Sequence, residues 1–367
     1  MTSDLLPVEH IRGWARRGRV EAESRVTRAL SALPPLSRPA PDQLAASLMS
    51  RPVTLKFHPD RVARDGATAA ESLQDSGIYR TQYETGTGAG SPTAYPGGDR
   101  ERWEAQLFGE HHRQTVPDLR PRYGGLNAAN YPIGACPRFG SSFLELRPAA
   151  LQRATFCVED SHRNADEARA ADVGTVDEPM SLLAGLLELA ATTGRAIGLT
   201  PGDVADVVAI LQAPAGSQTP RPNTIAPIGR VLDSTEYIEA QLHGSVDLAH
   251  AVARIVIDPS FVGTGTGTAL QAAADRFGVE MVCHQGFCLD VEEYRDTRLR
   301  DFRGPDVAAL ALRIHRDYCD PGEPITARAI GLAARQPAAS ADPMRQWIKQ
   351  VWHTMVAFGR PFLQPSN

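Results

Sequence analysis

The stretch Thr235-Glu236-Tyr237-Ile238-Glu239-Ala240-Gln241-Leu242-His243-Gly244 constrains the fold most tightly. In an extended chain successive side chains point to opposite faces. Tyr237, Glu239 and Gln241 therefore share one face, and Ile238, Ala240 and Leu242 the other. The second set is wholly apolar and belongs against a core. The first gathers a phenol, a carboxylate and an amide within about 14 Å of strand. That face suits a cleft handling a sugar or a nucleotide. A solvated edge strand has the same pattern, and this stretch alone leaves both readings open.

At 367 residues the chain can bury one large core or two smaller ones. A net charge of -5 gives no reason to expect nucleic-acid binding by bulk electrostatics. The five cysteines are an odd number without CxxC spacing, so reduced thiols are expected rather than a disulfide framework or a zinc knuckle. No apolar run reaches the ~18–20 residues of a membrane span. The N-terminus lacks the apolar region of a cleavable signal, which leaves delivery through an uncleaved N-terminus open.

Along the chain, residues 1–50 read as a helical lead-in broken by Pro34, Pro35, Pro39 and Pro41, with Asp42 placed to cap a short helix. Val53 to Phe57 alternates as a strand that Pro59 stops, leaving His58, Asp60 and Arg61 where it opens into a loop. An Asp-Arg ion pair at a turn explains that cluster as well as chemistry does. Ala67–Ser76 is expected to be helical up to Gly77, and Ile78–Thr85 to be a strand entering a glycine-rich loop at Gly86. A helix through Trp103 and Leu107 is expected next. Tyr123–Asn127 reads as loop, residues 138–146 and 154–158 as a strand pair, and Glu159–Asp177 as a polar loop.

Residues 180–211 are expected to be helical, with Thr200 capping and Pro201 opening the second helix. Leu248, Val252, Ile255 and Val256 have helical spacing. The Gly263–Thr268 run reads as a turn and helix cap, since no P-loop lysine follows it. Pro305 opens a further helix. Met344, Trp347, Ile348, Val351, Trp352 and Met355 form a clean helical stripe, either core or a docking face.

Metal and serine-nucleophile readings fail on spacing. There is no HExxH, CxxC or GxSxG, and the adjacent His111 and His112 point apart. Three clusters remain, His58/Asp60/Arg61, Thr85/Gly86/Thr87 and Glu239/Gln241. Basic and hydroxylic residues followed late in the chain by one acidic residue is the ordering of mono-ADP-ribosyltransferases.

The ordered series Leu55–Arg61, Gln82–Gly86, Tyr95–Asp99, Tyr123–Asn127, Arg138–Ser141 and Tyr237–Gly244 resembles the CteC-like bacterial ADP-ribosyltransferase effectors, over residues ~50–320. The resemblance implies an α+β fold with a PARP-like ADP-ribosyltransferase core (a split β-sheet) and additional helical segments. It divides the chain into a lead-in at 1–50, a core at 51–260 with a helical insertion near 178–212, and a mostly helical region at 261–367 with a candidate docking role.

The implied function is NAD-dependent mono-ADP-ribosylation of a threonine hydroxyl of host ubiquitin, blocking ubiquitination, with NAD as co-substrate and no metal, nucleic acid or membrane partner. It further implies a bacterial effector secreted without a cleavable signal and active in host cytoplasm. An NAD glycohydrolase and a non-catalytic interaction module are the alternatives.

On this resemblance Glu239 matches the catalytic glutamate, with Glu236 a competing alignment, and Asp60 is preferred to Asp99 as the aspartate. His58, Arg61, Tyr83, Thr85, Gly86, Thr87 and Tyr95 are the implied NAD contacts, the tyrosines by stacking on nicotinamide. Cleaving the nicotinamide–ribose bond builds positive charge on the ribose, which a fixed carboxylate stabilises. A second carboxylate can take the proton of the incoming hydroxyl.

Overall fold

The computed structural model describes residues 5–87, 93–161, 172–197, 202–214, 237–295, 303–336 and 343–362. Its strands are β1 (Val53–Phe57), β2 (Arg122–Leu126), β3 (Ser142–Leu146), β4 (Ala154–Val158), β5 (Val173–Thr175), β6 (Ile238–Leu242), β7 (Val252–Ile257), β8 (Glu280–Cys283), β9 (Cys288–Leu289) and β10 (Ile325–Thr326). The helices are α1 (Leu6–Leu30), α2 (Pro41–Met49), α3 (Ala69–Ser76), α4 (Gln82–Thr85), α5 (Asp99–Phe108), α6 (Met180–Thr193) and α7 (Val204–Gln212). They continue with α8 (Leu248–Ala251), α9 (Gly265–Phe277), α10 (Pro305–Tyr318), α11 (Ala327–Ala334) and α12 (Met344–Phe358). The fold is a mixed α+β one.

Eight strands form one sheet in the order β5-β4-β6-β2-β1-β3-β7-β8, antiparallel except where β7 meets β8, and β9 and β10 make a separate ribbon. β6 lies inside the sheet, hydrogen-bonded to β2 and β4, so the edge-strand alternative is excluded. Ile238, Ala240 and Leu242 are fully buried in the main core, as their alternation requires.

The sheet forks at β1. This strand pairs with β2 only at Val53–Leu126 and Thr54–Gly125, whereas its pairing with β3 runs from Thr54 to Phe57. Beyond Thr54 the two prongs diverge. Close approach at the crotch of the fork requires glycine, since a Cβ on Gly124 would lie 2.5 Å from the Thr54 carbonyl oxygen. Tyr123–Leu126 is accordingly strand rather than loop.

Other expectations need correction. Ile78–Thr85 is not a strand: Thr81 and Glu84 form a reciprocal capping box that starts α4. Strands β3 and β4 do not pair with each other but lie on opposite sides of β1 and β6. The polar run after Glu159 contains β5. Val252–Ile257 is strand, because Asp247 caps only the single turn of α8 and the β-branched residues then extend. Asp42 sits in the first turn of α2 without capping it. Thr200 and Pro201 lie outside the described residues, and Asp203 caps α7 through a box with Asp206.

Helices α3, α5, α9 and α10 lie where expected, and Thr264 caps α9 as the Gly-Thr run suggested. Helix α1 packs on α6 and reaches α5 and β5. The stripe on α12 is core: Ile348, Val351, Trp352 and Met355 are buried, and Trp352 Nε1 donates to the Pro137 carbonyl at 3.0 Å. No described helix is long and apolar enough to cross a membrane.

Candidate active site

A cavity of about 460 Å³ opens in the fork. Its floor comes from Lys56 to His58 on one prong and Arg122 to Gly124 on the other, with Tyr237 and Glu239 of β6 beside them. Helix α5 supplies Arg100 and Trp103 to one wall, and α12 supplies Lys349 and His353 to another. That size holds a ligand of nucleotide scale.

Glu239 is 7% exposed and held from three directions. Gln241 Nε2 donates to its Oε1 at 2.8 Å, the Ser161 backbone N–H to the same oxygen at 3.3 Å, and the Tyr237 hydroxyl lies 3.1 Å from Oε2. The Gln241 amide is itself fixed. Its oxygen accepts from Thr155 Oγ1 at 2.9 Å, and its nitrogen also reaches Cys157 Sγ at 3.2 Å. Thr155 spends its one proton on Gln241, so its 3.0 Å contact with His243 Nε2 needs the imidazole to donate. Burial, then His112, holds His243 well below its usual pKa, which suits that neutral ring.

The Tyr237 hydroxyl also lies 2.6 Å from Asp160 Oδ1, and Arg138 grips both oxygens of Asp160 at 3.0 and 3.1 Å. The Glu239 carboxyl is pushed up to about 7, first by burial and next by the charge of Asp160. Burial also drives the Tyr237 phenol well above its ordinary range, so it keeps its proton. In its acid form Glu239 can donate to Tyr237, which donates to Asp160. In its ionised form it is a buried carboxylate facing an open cavity.

The other expected residues divide. His58 lines the cavity with its ring edge-on to Trp352 at 5.3 Å, and burial followed by Arg61 depresses its pKa strongly. Arg61, Thr85 and Thr87 line it too, with Gly86 between the threonines in left-handed conformation at the end of α4. Asp60 does not reach it. Its carboxyl lies against Gly331 of α11, in a smaller cavity that Arg335 also lines, and burial raises it to about 6.

Tyr83 is buried with its hydroxyl on Glu104 at 3.1 Å, and Tyr95 is 49% exposed; neither lines the cavity. Asp99 is exposed and pairs with Arg102, and Glu236 lies outside the described residues. Asp160, Arg138, Ser161 and Arg100 were not identified from sequence, although Arg138 falls within a motif. Among the described residues no group of three or more metal-ligating side chains occurs.

A family model described as "Protein of unknown function (DUF3626)" matches residues 52–358. The chain belongs to DUF3626. No curated protein matches it. The DUF3626 match takes in both sides of the cavity, from β1 through the whole of α12, and leaves out α1 and α2.

Proposed function

We propose that this DUF3626 protein binds NAD in the fork and transfers ADP-ribose to a hydroxyl of a protein acceptor. One observation carries the reading. Glu239 is a buried carboxylate, fixed by Gln241 and Ser161, that faces a nucleotide-sized cavity without an ion-pair partner among the described residues. Such a group is most stabilising to a reaction that develops positive charge beside it. As the C1′–N bond breaks, its electron pair leaves with neutral nicotinamide and the ribose becomes cationic. The acceptor oxygen then bonds C1′ and gives up its proton to the second carboxylate of the cavity.

Glu239 serves as the hydrogen-bond acceptor for the ribose 2′-hydroxyl. Asp160 replaces Asp60 as the second carboxylate, because Asp160 lines the cavity and Asp60 does not. The forked sheet supports reading the core as PARP-like. The resemblance supplies the rest of the proposal: a threonine of ubiquitin as acceptor, and a secreted effector working in host cytoplasm.

The test incubates the full chain with NAD and ubiquitin beside Glu239→Gln, following nicotinamide release and intact mass. An added ADP-ribose on ubiquitin, lost in the variant, is the expected result. Labelling of another protein in a lysate keeps the chemistry and removes ubiquitin. Nicotinamide release without labelling makes the protein a glycohydrolase, and no turnover with any acceptor overturns the catalytic reading.

A further inference from the structure

We infer that Arg100 is the seat of a phosphoryl group of the ligand bound in the fork. Arg100 is 93% buried, being 7% exposed, and it lines the cavity. Its guanidinium carbon lies 4.6 Å from the centre of the Tyr123 ring and 4.9 Å from that of Trp103. The buried Nε makes no hydrogen bond, and no ion pair forms between Arg100 and any described carboxylate.

The neighbouring carboxylates are already engaged. Glu104, one turn along α5, accepts from Tyr83, Tyr123, Arg120 and His112. Glu239 accepts from Gln241, Ser161 and Tyr237. Three other arginines of the cavity are engaged: Arg138 holds Asp160, Arg80 holds Asp65, and Arg122 faces Glu84 and four carbonyls. Burying a charged guanidinium with one nitrogen unpartnered is costly, and an anion bound from the cavity by the rest of the group offsets that cost.

The charge balance of the walls points to the same ligand class. Although the chain carries -5 overall, five arginines and two lysines line the cavity against two carboxylates. A multiply charged anion fits that excess, and a planar guanidinium matches phosphate oxygens two at a time. The inference rests on the transferase reading only for its choice of probes.

The experiment measures binding of ADP-ribose, pyrophosphate, succinate and adenosine to the full chain by calorimetry. It uses wild type, Arg100→Gln, Arg100→Lys and the exposed control Arg102→Gln, each checked for an unchanged melting transition. We expect Arg100→Gln to weaken ADP-ribose and pyrophosphate by about tenfold or more, Arg100→Lys to fall between, and adenosine and the control to be unaffected. Folded Arg100→Gln binding ADP-ribose like wild type overturns the inference, as does wild type that binds succinate but neither phosphate probe, or none of the anions. Arg100-dependent binding without nicotinamide release from NAD keeps the seat and removes the transferase reading. Turnover of NAD indifferent to Arg100 does the reverse.

Discussion

Tyr237 Oη lies 2.6 Å from Asp160 Oδ1. The same oxygen is 3.1 Å from Glu239 Oε2, so a single phenolic proton stands between two carboxylates. With Glu239 held up to about 7 and required as the anion, nicotinamide release should rise with pH along an acid limb near 7. In Tyr237→Phe the carboxylates lose a donor that favours their charged forms. The limb should move to higher pH by roughly one unit. A pH–rate profile for each protein decides this, and an unmoved limb would show that the hydroxyl does not serve Glu239.

Glu239 should also cost stability. Its folded pKa is about 7 against an ordinary value of 4.5, so its favourable contribution is complete below 4.5 and is lost as pH rises through 7. Glu239→Gln removes that loss. Its amide can accept from Gln241 and donate to Tyr237, which still donates to Asp160. Above pH 7 the variant should melt higher than wild type, by an amount on the order of 1–3 kcal/mol, while nicotinamide release falls by about 10²-fold or more. Melting curves between pH 4 and 8 give the first result, and a constant difference across that range would contradict the linkage.

Asp60 and Gly331 should behave as a packing pair. A Cβ on Gly331 would overlap the Asp60 carboxylate. Gly331→Ala should destabilise by about 1–3 kcal/mol through overpacking, and much less in an Asp60→Ala background. Urea unfolding of the four proteins of this cycle measures the coupling. On the same geometry Asp160→Asn should lower nicotinamide release more than Asp60→Asn. The opposite order would return the catalytic aspartate to the end of β1.

Thr155→Val tests the support behind Glu239. The variant keeps the shape of the side chain but removes the hydroxyl between His243 and Gln241. It leaves two buried polar groups short of a partner, at a cost of about 1–3 kcal/mol. The freed Gln241 amide can then turn its oxygen toward Glu239. Turnover should fall more than ground-state binding of ADP-ribose does, and equal losses in both would mark Thr155 as a packing residue only.

The parts legible in sequence were those that depend on local periodicity. Alternation from Tyr237 to Leu242 marked the core strand and the face whose Tyr237 and Glu239 line the cavity, and the helical stripe at 344–355 marked α12. Local rules were outvoted where two signals overlapped. The Thr81-x-x-Glu84 box lay inside an apparent strand, and the apolar residues at 248–256 fit a helix until Asp247 and the β-branched run are weighed together. Asp160 was hidden for another reason. It sits in a polar run whose composition marks a loop, and only the Arg138 and Tyr237 contacts, far off in sequence, give it a role. Arg100 carries no sequence signal, because its distinction is the partner it lacks.

The fork in the sheet makes interior strands behave like edges. Past Thr54 and Gly125 the facing backbones of β1 and β2 have no ladder between them, and only two residue pairs hinge one half-sheet to the other. A ligand seated there stands where the missing rungs would be. Any such ligand would act as a keystone, since contacts to both prongs would tie the Glu239 half of the molecule to the half carrying His58.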